Sequence, residues 1–168
     1  ASLQLGRGET LGDTARVLSR YLHAIIVRTY EHEPLVEFAR NANIPVINAL
    51  TNEFHPCQVL ADLFTIYEYS ERLAGIRLAF FGDCASNVAS SLIIAARMTG
   101  MHLTMSSPPA YRPSQALLQD GNFGPGKVTW DPEPRRVAAA GADYLYTDIW
   151  VSMGFEHEKA EREATLRP

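Results

Sequence analysis

Two kinds of stretch alternate along the chain: short continuous apolar runs, and longer segments whose apolar residues recur at helical spacing. Ala24-Ile25-Ile26-Val27 is a β-branched run ending at Arg28, the pattern of a parallel strand buried on both faces. Pro45-Val46-Ile47-Asn48-Ala49-Leu50, Leu78-Ala79-Phe80-Phe81, His102-Leu103-Thr104-Met105, Val128-Thr129-Trp130 and Tyr144-Leu145-Tyr146-Thr147 read as further strands. Between them, helical spacing starts after Asp13, a candidate N-cap for Thr14 to Tyr21, and again at Pro34 for Leu35 to Arg40. A third helix opens at Pro56 and carries Val59, Leu60, Leu63, Phe64, Ile66 and Tyr67, an apolar surface wide enough to face more than one neighbour. Later helices are predicted from Asn87 to Thr99, briefly around Ala116-Leu117-Leu118 and from Pro134 to Ala140. The last, Phe155 to Arg167, alternates acidic and basic residues, the mark of a solvated face.

Strands alternating with helices define an α/β chain with parallel sheets. The expected architecture is two Rossmann-like parallel-sheet lobes joined by the helix from Pro56, the first lobe incomplete with two strands. With 168 residues and 46% hydrophobic content, the chain has the material for a real core. A net charge of -4 without a basic stripe argues against a nucleic-acid surface and leaves small molecules as the default partners. Cys57 and Cys84 lie far apart and lack metal-ligand spacing, which suits reduced thiols and a cytoplasmic setting. No apolar run reaches membrane-spanning length, and Ala1-Ser2-Leu3-Gln4 does not read as a targeting segment.

In open parallel sheets, ligands bind outside the carboxyl ends of the strands. That rule selects Arg28, the loop Asn52 to Gln58, the turn Gly82 to Asn87, and the loop Asp148 to Gly154. Pro56 suits the first position of a helix, whose free N–H groups and positive dipole end favour an anion, and His55 and Gln58 can add donors one turn apart. This is a place for a phosphate or a carbonyl oxygen, with a plain capped helix as the alternative. Arg28 can offer two parallel N–H groups to the same kind of group, or form a surface ion pair. Asp83 and Asn87 carry the same two readings. Asp148 with Ser152, Met153 and Gly154 places a carboxylate, a hydroxyl and backbone in one loop, which suits the ammonium and carboxylate of an amino acid, although an Asp there can also be a cap. A dinucleotide fingerprint would need G-x-G-x-x-G, and the Gly82 turn supplies one glycine.

Taken together, the runs Q-L-G-R-G-E-T, D-T-A-R-V-L-S-R-Y, V-R-T-Y, P-V-I-N-A-L-T-N-E-F-H-P-C-Q-V-L-A-D, F-F-G-D-C-A-S-N-V and D-I-W-V-S-M-G resemble the ornithine branch of the aspartate/ornithine carbamoyltransferase family in order and near-spacing. H-P-x-Q points to carbamoyl transfer and S-M-G to ornithine rather than aspartate. The resemblance implies that Arg28, His55 and Gln58 hold carbamoyl phosphate, with Arg28 and His55 polarising its carbonyl. It implies that Asn87, Asp148, Ser152 and the Met153 backbone hold ornithine, and that Gln4 reaches a neighbouring subunit's site in a homotrimer. No metal or organic cofactor is implied. On this reading residues 1–54 are the end of the carbamoyl-phosphate domain, 55–70 the interdomain helix, and 71–168 an incomplete ornithine domain.

The family's S-x-R-T phosphate cradle and its H-C-L-P loop are absent from these residues, and neither cysteine can be placed on the latter. Ser86 replaces the first member of a common Asn-Asn pair, and the stretch from Gln115 to Lys127 is shorter than the family's helix there. The alternative reading is therefore a non-catalytic remnant or regulatory binding protein on the same scaffold. On either reading the 168-residue chain alone is expected to be catalytically silent, with Leu63 and Phe64 left without cover.

Overall fold

A computed structural model of the protein describes residues 8–119, 124–132, 135–151 and 156–166. Gln4, Ser152 and Met153 lie outside the described residues. The chain forms two compact units, Ala1–Cys57 and Gln58–Pro168.

The first unit runs α1 (Leu11–Leu18), β1 (Ile25–Arg28), α2 (Glu33–Asn41) and β2 (Val46–Leu50). Thr10, not Asp13, is the N-cap of α1. Its hydroxyl accepts the Asp13 amide at 3.1 Å, while the Asp13 carboxylate accepts the Thr10 hydroxyl at 2.7 Å. A Thr with an acid three residues on satisfies two groups reciprocally, and this advantage moves the helix start back from the predicted position. Gly12 is buried where α1 meets α2: a Cβ there would stand 3.0 Å from the Asn41 side-chain oxygen.

β1 and β2 pair in parallel, with Ile26 opposite Ile47. The expectation that β1 is buried on both faces does not hold. Its residues alternate between half-buried and exposed, and Ile26 and Ile47 are 68% and 41% exposed. The period-2 alternation of a strand turns every second residue to the opposite face, and here that face meets water.

The second unit contains most of α3 (Pro56–Ser70), then β3 (Arg77–Phe81), α4 (Asn87–Thr99), β4 (His102–Ser106), α5 (Gln115–Gln119), β5 (Lys127–Asp131), α6 (Arg135–Ala139), β6 (Tyr144–Thr147) and α7 (Lys159–Leu166). The sheet order is β5-β4-β3-β6, all parallel. β3, β4 and β5 therefore step one way across the sheet, and β6 returns to the other side of β3. The reversal puts the topological switch point between β3 and β6.

Leu78 and Phe80 of β3, Leu103 and Met105 of β4, and Val88, Leu92 and Ile93 of α4 form the centre of the core. α3 adds Val59, Leu63 and Ile66, each buried side chain contributing about 1.5–3 kcal/mol. Leu63 is thus covered, contrary to expectation. Phe64, with Leu60 and Tyr67 on the neighbouring stripe, is 62% exposed. One stripe of the helix supplies the core, and the next leaves an apolar row at i, i+4, i+7 in water.

Candidate active site

In the first unit the carboxyl ends of two paired strands carry the candidate groups. The register slips between Val27, opposite Asn48, and Arg28, opposite Leu50. A bulge of this kind locally bends and twists its strand, which re-aims the side chain beside it. The Arg28 side chain is exposed. Beyond the ladder, the Thr29 amide donates to the Leu50 carbonyl at 3.1 Å and the Asn52 amide to the Tyr30 carbonyl at 2.7 Å, so the two loops continue together.

Thr51, wholly buried, closes the turn before His55: its amide donates to the Phe54 carbonyl at 2.8 Å and its hydroxyl accepts the Phe54 amide at 3.1 Å. α3 begins at Pro56, as the sequence predicts. The Cys57 thiol donates to the Asn48 carbonyl at 3.4 Å, tying the helix entry to β2. That bond gives Cys57 a local structural role.

In the second unit Gln58 is held by its own helix and by β6. Its amide nitrogen donates to Asp62 at 3.0 Å, and the other Asp62 oxygen accepts the Tyr146 hydroxyl at 2.8 Å. Burial pushes the Tyr146 phenol above its ordinary range, and the Asp62 carboxylate beside it adds to the shift, so it stays a protonated donor. Asp62 and Tyr146 were not among the sequence candidates. The i, i+4 spacing of Gln58 and Asp62 was readable, whereas the reach of Tyr146 depends on β6 returning beside β3.

The switch point places the turn after β3 beside the loop after β6. Gly82 sits at φ +127°, a conformation that disfavours any side chain, and a Cβ there would lie 3.7 Å from the Trp150 ring. Ser86 caps α4, accepting the Ala89 amide at 3.2 Å, which puts Asn87 at the first helical position, half-buried. Ser and Asn are near-equal caps, so the departure at Ser86 exchanges one cap for another. Asp148 follows β6, and its carboxylate accepts the Ile149 amide at 2.8 Å.

Asp83 belongs to the frame. One oxygen accepts the Ala85 amide at 2.9 Å and the other pairs with Arg162 at 2.7 Å, with both side chains nearly buried. Arg162 also bonds Glu158 at 2.7 Å and lies over the Tyr111 ring. The solvated face expected for the last helix is therefore partly wrong: α7 sends Arg162 inward onto the turn that leads to Asn87. Charge alternation shows that a helix is polar, and it does not show which cation has a buried partner. Cys84, in the same turn, is buried, and burial raises its thiol to about 12, so it is inert as a nucleophile. A cavity of about 200 Å³ lined by Arg77, His102 and Thr104 lies at the amino ends of β3 and β4, the end of the sheet away from these groups.

Two family models match the chain. Residues 1–68 match the aspartate/ornithine carbamoyltransferase carbamoyl-P binding domain, and residues 74–168 match the Asp/Orn binding domain of the same family. The chain belongs to the aspartate/ornithine carbamoyltransferase family. Among the members it resembles, the ornithine carbamoyltransferase of Methanoculleus marisnigri is 48% identical over 165 residues, covering 98% of this chain and 53% of that protein. That of Acidothermus cellulolyticus is 50% identical over 163 residues, covering 95% and 52%. The ornithine carbamoyltransferase structure from Pyrococcus furiosus superposes with a TM-score of 0.87 at 42% identity, covering 99% of this chain and 54% of that one. The chain spans about half the length of the curated relatives it matches. The parallel α/β architecture is the one these carbamoyltransferases share. Among the described residues, no helix is long and apolar enough to cross a membrane.

Proposed function

We propose that the chain is the central portion of an ornithine carbamoyltransferase, moving the carbamoyl group of carbamoyl phosphate to the δ-amine of L-ornithine to give L-citrulline and phosphate. Residues 1–54 are assigned to the carbamoyl-phosphate domain, 55–70 to the connecting helix and 71–168 to the ornithine domain. The observation that carries this reading is the pairing of β1 with β2, which brings the strand end bearing Arg28 together with the loop that runs through His55 into α3. Identities near 50% to proteins named ornithine carbamoyltransferase favour it over a non-catalytic remnant.

In the proposed reaction the lone pair of the neutral δ-amine attacks the carbonyl carbon. Arg28 and His55 donate to the carbonyl oxygen as it gains charge, and Gln58 orients the carbamoyl group from the first turn of α3. The C–O bond to phosphate then breaks, phosphate leaves with the bonding pair, and the proton lost by the amine passes to the departing phosphate. Positioned donors of this kind contribute roughly 10²–10³ each in rate. Asn87, Asp148, Ser152 and the Met153 backbone take the α-amino and α-carboxylate groups of ornithine. Gln4 serves a neighbouring subunit's site in a homotrimer, and two free thiols suit a cytoplasmic enzyme.

The test is binding of a bisubstrate analogue, a phosphonate joined to an ornithine-like arm, to a chain extended to the length of its relatives. Arg28→Ala or His55→Ala should weaken it by roughly one to two orders of magnitude, since a charge-assisted hydrogen bond contributes about 1.5–3 kcal/mol. Unchanged affinity in both variants would refute the assignment of the anion site.

A further inference from the structure

We propose that His32 is a positioning residue for carbamoyl transfer, setting the His55 loop against the strand end that carries Arg28. The inference rests on the reading of Arg28 and His55 as the groups that hold carbamoyl phosphate. His32 stands at the N-cap of α2, where Ser, Thr, Asp or Asn would normally accept a helix amide, yet its side chain makes no cap bond. The imidazole turns to the other loop instead. Its Nδ1 lies 3.1 Å from the Thr51 hydroxyl, and its ring meets Phe54 edge-on at 5.0 Å.

Thr51 and Phe54 are the two ends of the turn that delivers His55. The Thr51 hydroxyl already accepts the Phe54 amide at 3.1 Å and lies 3.4 Å from the Phe54 carbonyl, so its orientation decides how tightly the turn closes. One hydroxyl has one proton and two acceptor sites, and the bond between it and the His32 Nδ1 fixes how these are shared. Because Thr51 is wholly buried, no bulk water competes for that bond. The backbone bonds Thr29 to Leu50 and Asn52 to Tyr30 hold the loops side by side up to His32 and Thr51. The bulge at Arg28 breaks the regular ladder just before them, so ladder register alone does not set Arg28 relative to His55. A histidine that forgoes a cap to brace a loop is the kind of local rule-breaking that marks functional positions.

The experiment uses the isotope-labelled 168-residue protein, with amide exchange read at Phe54 and carbamoyl phosphate titrated against the NMR signals of the His55 ring and the Arg28 guanidinium. His32→Ala and Thr51→Val should each speed Phe54 exchange and weaken carbamoyl phosphate by roughly three- to tenfold, the equivalent of one hydrogen bond. The β1–β2 ladder amides should keep their protection. His32→Asn, which returns a polar atom near the place of Nδ1, and Thr51→Ser should recover most of both effects. In the double variant His32→Ala with Thr51→Val, the loss should equal that of Thr51→Val alone, because that change already removes the His32–Thr51 bond along with the one from the Phe54 amide. A parent-like response of His55 and Arg28 in His32→Ala and Thr51→Val would overturn the positioning role while leaving the function reading intact. If carbamoyl phosphate moves neither signal in the parent nor in a chain extended to the length of its relatives, the function reading itself fails and this inference falls with it. If His32→Ala loses the ladder amides, the comparison of His32→Asn and Thr51→Ser with the parent decides: no recovery of Phe54 protection or affinity in either overturns the proposal.

Discussion

Replacing Arg162 by alanine should destabilise the second unit more than any surface substitution, because it strands a carboxylate in the core. Asp83 and Arg162 are 2.7 Å apart with side chains only 6% and 8% exposed. Without Arg162, Asp83 retains the Ala85 amide at 2.9 Å but no balancing charge. Breaking a buried pair from one side costs about 3–5 kcal/mol. For a unit of this size each kcal/mol lowers Tm by roughly 4–8 °C, which gives a drop of roughly 12–40 °C. Trp130 and Trp150, the two tryptophans of the chain, both belong to the second unit, so their fluorescence follows its melting. Asp83→Asn with Arg162→Met removes both charges and should recover most of the loss, since no uncompensated charge is left buried and the asparagine oxygen can still accept the Ala85 amide. A shift below about 1 kcal/mol for Arg162→Ala, the level of an exposed pair, would refute the reasoning. So would a double variant no more stable than the single one.

The Asp143 carboxyl should titrate near 2 by NMR, held down by bonds from the Arg77 guanidinium and amide, and return toward its ordinary value in Arg77→Ala. Because the folded value lies below the unfolded one, at about 3.9, the pair's contribution to stability is complete above about pH 4 and is lost as pH falls through 2. Asp143→Asn should therefore flatten the stability profile only in that acid window. Tyr146→Phe should release Asp62 from β6 and broaden the Gln58 side-chain amide signals, whereas unchanged Gln58 signals would show that the helix alone holds it. Asp148→Asn should weaken ornithine binding by roughly 10- to 100-fold, with carbamoyl phosphate nearly unaffected, as titration of each ligand separately would reveal. Equal weakening of both would make the loop structural.

Strand and helix order was legible because each element has its own period. The β-branched runs at Ile25 and Val46 are strands, and Pro56 opens its helix where proline's missing N–H costs nothing. Burial was harder to read. Ile26 looks like a core residue in sequence and is exposed in the structure, because the run fixes a strand but not what covers each face. Arg28, His55 and Asn87 are candidates because of their places at strand ends, a rule that needs only element order. The groups that hold these turns and loops follow from no such rule. Tyr146 reaches Asp62 across 84 residues of sequence, Arg162 reaches Asp83 across 79, and His32 reaches Thr51 across 19. Such pairs follow from strand order and helix placement, which no local pattern reports. Asp83 is the instructive case: a polar residue after a strand reads as a ligand group until its partner on α7 is known.

The central claim is that Arg28, His55 and Gln58 bind carbamoyl phosphate and that the groups at the strand ends after β3 and β6 bind ornithine. Its most direct test is a pair of titrations of the isotope-labelled 168-residue protein, one with carbamoyl phosphate and one with L-ornithine, mapped residue by residue by NMR. Carbamoyl phosphate should perturb Arg28, His55 and Gln58, and ornithine should perturb Asn87 and Asp148, each at millimolar concentration. Perturbations that fall instead at Arg77 and His102, or the same residues responding to both ligands, would contradict the account.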